Sequence, residues 1–151
     1  MSAKIATMTD AILAQMAAVT DWTEAFDAGR DYLERPLKSE AEKIRITALP
    51  MSTARQNISR GKRMLTHTIA LGIRQNVNPE SVEGVDVLVA FAESIADYWD
   101  SNSGGGRKLV SGTTGSVINV THDPIYSPSE LDTNRQFFSM VTLTVVEAVN
   151  L

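Results

Sequence analysis

Cysteine is absent from this chain of 151 residues, and histidine occurs only twice. Disulfides, thiolate metal sites and cysteine nucleophiles are therefore excluded. Apolar runs are short, far below the ~20 residues a membrane helix needs. The opening MSAKIATMTD lacks the apolar stretch of roughly 7–15 residues that marks a signal peptide. No membrane role is expected, and the chain reads as made in the cytoplasm. Cations are fewer than anions, 14 against 18, for a net charge of -4. That balance argues against general nucleic-acid binding, although a local basic patch can still act.

What is present is ordinary for a globular protein: 43% hydrophobic and 21% charged residues. The length suits one domain, residues 1–151, with a core that needs no covalent staples. Ile12, Leu13, Met16 and Val19 recur at helical spacing and predict a first helix over Thr9–Val19, with Thr9 as its N-cap. Arg30–Arg35 is a strand candidate ended by Pro36, and Leu37–Glu42 reads as a hairpin turn. Lys43–Leu49 alternates as a strand. Met64–Arg74 alternates most clearly, with Leu65, His67, Ile69, Leu71 and Ile73 on one face.

Asn78 and Pro79 predict the start of a second helix that reaches Asp100, with Val82, Val85, Leu88, Val89, Ala92, Ile95 and Trp99 on its inward stripe. Ser101–Gly106 has linker composition. Arg107–Val110 and Ser116–Val120 are strand candidates around a turn, and His122–Asp132 is an irregular loop. Arg135–Val149 closes the chain as a strand longer than the usual ~3–10 residues. Such a strand near a terminus can extend beyond its own domain and pair with a neighbour. Together these elements predict an α+β domain, a mostly antiparallel sheet with two helices packed on one face.

Catalytic chemistry finds little support. His67 sits mid-strand among apolar neighbours and is expected to be a buried or edge histidine with a hydrogen bond. His122 precedes Asp-Pro, a turn signal. The run SGGGRK follows a helix and opens a strand, the reverse of a phosphate loop. GTTGS lacks the nucleophile-elbow pattern. Neither a metal nor a cofactor is expected, and the chain is not expected to be an enzyme.

The most informative segment is Pro50–Arg63, PMSTARQNISRGKR, which reads as a long basic connector between two strands. Arg55, Arg60, Lys62 and Arg63 lie there without an acid, on an otherwise acidic body. Long connections in compact domains tend to be functional or disordered. Three readings stand at this level: a solvated loop, an arm reaching an acidic surface on a neighbour, or a contact to nucleic-acid phosphates. An acidic body with a basic arm can pair with copies of itself head to tail, the charge logic of a ring.

The passage IRITALPMSTARQNISRGKRMLTHTIALGI, the capped helix from Asn78 and the closing strand FFSMVTLTVVEAV resemble the tail terminator and tail-completion proteins of long-tailed bacteriophages. The resemblance covers most of the chain as a layout of elements; Ser59-Arg60 in the loop and the final strand carry it most specifically. It implies a homohexameric ring at the head–tail neck of the virion, assembled in the host cytoplasm. Such a ring caps the tail tube and offers a docking surface to the head or connector protein. DNA would pass through it without sequence-specific reading. It carries over no catalytic residues. By position it assigns assembly and docking to Arg55, Arg60, Lys62 and Arg63, with Arg107 and Lys108 at the base of another loop, and it makes His122–Asp132 a second docking surface. Another neck component, a joining adaptor or a tube protein, is the near alternative. A small ligand-binding α+β domain, with a cleft between the Gly104–Gly106 and His122–Asp132 loops, is the distant one.

Overall fold

The computed structural model describes residues 3–38, 40–100 and 110–150. In chain order the elements are α1 (Lys4–Ala18), β1 (Phe26–Arg30), β2 (Ile44–Ser59), β3 (Lys62–Asn76), α2 (Val82–Asp100), β4 (Ser116–His122) and β5 (Gln136–Asn150), with one π-helical turn at Glu130–Asn134 before β5. The strands form one sheet in the order β1-β2-β3-β5-β4. Every pair is antiparallel except β1 with β2. The fold is α+β, as expected.

Alternation along β3 places Leu65, His67, Ile69, Leu71 and Ile73 on one face, all buried. Ile44, Ile46 and Ala48 of β2 and Val141, Leu143 and Val145 of β5 join them. Both helices cover this face. Met8, Ile12 and Met16 descend from α1, and Leu88, Phe91, Ala92, Ile95 and Trp99 from α2. Aromatic rings knit the two helices to the chain between α1 and β1. Trp22 lies edge-on to Phe91 at 6.4 Å between centroids, and its indole N–H donates to Met16 O.

Several expectations are corrected. The residues read as a basic connector are strand: β2 continues to Ser59, β3 begins at Lys62, and only Arg60-Gly61 turns. Gly61 there takes a φ of +83°, which favours glycine. The segment lacks an apolar face because nothing covers it, so its period was invisible; the ladder to β3, which β5 flanks on its other side, holds it extended. The first strand is Phe26–Arg30, not Arg30–Arg35. Asp31 ends it by accepting hydrogen bonds from the backbone N–H of Tyr32 and Leu33.

Because β1 is parallel to β2, Leu37–Glu42 belongs to a crossover and not to a hairpin. Helix α1 starts earlier than expected, and Thr9 lies inside it, donating to Ile5 O. Helix α2 is capped by Ser81, whose Oγ accepts from Gly84 N, while Asn78 makes a turn three residues before it; Val82, expected on the inward stripe, is 70% exposed at the helix start, off the face that packs on the sheet. Residues 107–109 of the expected strand Arg107–Val110, and the Ser101–Gly106 linker, lie outside the described residues; Val110 is buried in a turn closed by its bond to Gly115 O. The loop after His122 contains the helical turn at Glu130–Asn134.

The sheet's second face is held by a polar cluster. Arg74 is 5% exposed. Its Nε donates to Glu34 Oε1 at 2.6 Å, and its Nη1 donates to Glu130 Oε2 and Gln136 Oε1. The guanidinium lies 4.4 Å from the centre of the Phe138 ring. Gln136 closes the cluster by donating to Leu37 O and accepting from Leu37 N. The crossover is thereby tied down, and Gly72 is the residue over which Glu34 passes: a Cβ there would overlap Glu34 Oε2. Burial raises the Glu34 pKa above its ordinary range, with Arg74 and Arg45 pulling the other way.

Two outcomes follow. Leu143→Asp places an unpaired charge at a position with no exposure. It should abolish cooperative thermal unfolding, while Leu143→Ala should cost about 2–5 kcal/mol in urea titrations. Glu34 holds its proton more tightly when folded, so its contribution to stability falls as pH rises from its ordinary carboxylate range through the raised folded value. Glu34→Gln should flatten that part of the stability–pH curve; an unchanged slope would mean that the carboxylate is not strained by burial.

Candidate assembly surface

Strand β1 stops flanking β2 at Ala48, and β4 stops flanking β5 at Val146. Beyond those points β2, β3 and the end of β5 continue as a three-stranded arm. At about 3.3 Å per residue, β2 from Leu49 to Ser59 reaches roughly 33 Å. Both faces of its outer half are open to solvent, and Ile58, in a bulge near the tip, is 50% exposed.

All four cations expected to act in assembly or docking within Pro50–Arg63 are on this arm. Arg55, Arg60 and Lys62 are exposed, and Arg63 is half-buried, its Nε donating to Asn57 Oδ1 at 3.2 Å. None of the ion pairs among the described residues engages them. Register fixes their direction. Arg55 pairs with Leu65, and Asn57 with Arg63, so both arginines share the face on which the helices pack. Arg60 occupies the turn at the tip. Arg107 and Lys108 lie outside the described residues, as do Gly104–Gly106 of the cleft weighed above.

Where the arm leaves the body, three strands contribute to one buried polar bridge. Thr53 Oγ1 meets His67 Nδ1 at 2.9 Å, and His67 Nε2 meets Glu147 Oε1 at 2.9 Å. With the ionised carboxylate on Nε2, that nitrogen carries the proton and Nδ1 accepts from the threonine hydroxyl. The imidazole has no exposure. Its place is that of a cross-strand tie, in line with the hydrogen-bonded histidine expected from sequence.

His122 is half-buried at the end of β4. Its Nε2 lies 2.7 Å from Ser139 Oγ, which in turn donates to Pro124 O. Burial lowers the His122 pKa, and Glu93, Asp123 and Asp97 oppose the shift. The loop after it presents Ile125 and Tyr126, 45% and 46% exposed.

Sequence reading missed the arm's electrostatic counterpart. Helix α2 carries Glu83, Asp86, Glu93, Asp97 and Asp100 and no base. Glu93, Asp97 and Asp100 line a groove of about 330 Å³ against Val120 and His122 of β4. The available signal was the spacing of Glu93 and Asp97, four apart and so on one helical face. Their position beside a sheet edge required the fold.

Thr53→Val keeps the shape of the bridge and removes its hydroxyl. It should cost about 1–3 kcal/mol in urea titrations, because His67 Nδ1 is left buried without a partner. A loss near zero would mean that the tie does not hold the arm's base.

Neither a family model nor a curated protein matches the chain.

Proposed function

We propose that the protein is a structural, non-enzymatic component of a phage-like virion, assembling as a homohexameric ring at the head–tail neck. There it caps the tail tube and presents a face to the head or connector protein. The observation that carries this reading is the arm: three strands extend past the helices, with Arg55, Arg60, Lys62 and Arg63 near their end. Each arm belongs to a body whose long helix is acidic, so identical copies are complementary to one another. A head-to-tail contact of that kind closes into a ring when its rotation permits. The resemblance in layout to tail terminators supplies the location and the partners, and the loop after His122 offers exposed Ile125 and Tyr126 as a second contact surface.

The test is to change Arg60, Lys62 and Arg63 together to Glu. Exposed charges contribute little to stability, so the melting temperature should stay within a few degrees. Co-sedimentation with tail tubes, and the count of six subunits at the tube end in negative-stain images, should both be lost. Undiminished tube capping by the variant would remove the arm from the docking role.

A further inference from the structure

The geometry points to a specific way in which copies pair: the bare edge of β2 in one copy adds to the outer edge of β4 in the next, continuing the sheet from subunit to subunit. The inference deepens the ring reading and rests on it, but it does not depend on where the ring sits.

Two observations converge. The first is strand sense. β4 is antiparallel to β5, β5 to β3, and β3 to β2, so β4 runs opposite to β2. The bare edge of β2 and the outer edge of β4 lie on opposite sides of the sheet. Placed side by side in translated copies, they meet as an antiparallel pair with no inversion of either sheet.

The second is height. Ser52 is level with Thr68, Thr68 with Thr144, and Thr144 with Asn119. The stretch of β2 that β1 leaves uncovered therefore stands level with β4, and Ser52 of one copy faces Asn119 of the next. Met51 and Ile118 sit at the two bulges one step to either side of this pair, 62% and 42% exposed. Each is a large apolar side chain that the single chain leaves in water.

Charge does not enter this contact. Continued past Ser52 and Asn119, the register sets Arg55 opposite Ser116, at the end of β4 away from Val120 and His122 of the acidic groove, with Arg63 further out. The occupant of each edge is therefore argued from matching sense and height. The contact is heterologous, one edge to the other, and leaves each copy with one of each to offer.

The absence of native cysteine allows a direct test in the full-length chain. In Ser52→Cys/Asn119→Cys, mild oxidation should link copies into a ladder reaching beyond the dimer on a non-reducing gel. Either single-cysteine chain has one thiol and stops at the dimer. Adding Met51→Glu and Ile118→Glu, which place like charges at the two bulges beside the pair, should reduce the ladder to background. Melting curves of each variant identify any that fail to fold. A double-cysteine chain that yields only dimers overturns the pairing, and so does a ladder indifferent to those two changes. A ladder in a protein that never caps tubes leaves the pairing intact and overturns the neck role. Six-membered rings on tubes without a ladder do the reverse.

Discussion

Strand β3 is paired on both sides along nearly all of its length, and the rest of the molecule is placed by that pairing. β2 and β5 match its length, so three strands share one ladder from Arg74 to Lys62. The helices need only part of that ladder. They cover the portion from Ile73 to about His67, where α1 lies over β1 and β2 and α2 over β4 and β5. What remains uncovered becomes the arm. Its extension is therefore a consequence of strand length exceeding helix coverage, and its polar composition is what allows that excess to stand in water.

The two faces of the sheet are secured by different physics. The helix-bearing face is apolar and non-directional, closed by Trp99, Phe91 and Phe137 at no measurable exposure. The opposite face is secured by directional bonds from one arginine, Arg74, to carboxylates of the crossover and of the loop before β5. An apolar contact there would tolerate sliding; the arginine fork does not, because Nε and Nη1 bond different partners in fixed directions. The Thr53–His67–Glu147 bridge applies the same device at the foot of the arm, one side chain from each of three strands.

Charge is segregated at the scale of the whole chain. Among the described residues, four of the seven cations that make no ion pair, Arg55, Arg60, Lys62 and Arg63, lie on the arm, and helix α2 carries acids without a base. Within one copy the two regions are held apart by the width of the sheet. Segregation of this kind does nothing for the stability of a single copy, and it orients copies relative to one another.

The α+β class, both helices, the register-bearing face of β3 and the length of β5 were legible in the amino-acid order, because each leaves a periodic apolar trace. Leu65 through Ile73 alternate, and Leu88 through Trp99 recur at helical spacing. The outer half of β2 was not legible. Thr53, Arg55 and Asn57 carry no apolar alternation, since neither face of that stretch is buried, and a strand held only by its neighbours looks like a loop when read alone. β1 was misplaced for the same reason: four of its five residues are exposed. Sequence by itself determined which faces are apolar and that four cations fall in one stretch. Tertiary structure alone decided that those cations ride on a rigid arm, that Arg55 and Arg63 share a face with α2, and that Glu93 and Asp97 stand beside an open edge. Those facts are long-range, set by backbone hydrogen bonds between segments far apart in the chain, which side-chain identity along one segment does not encode.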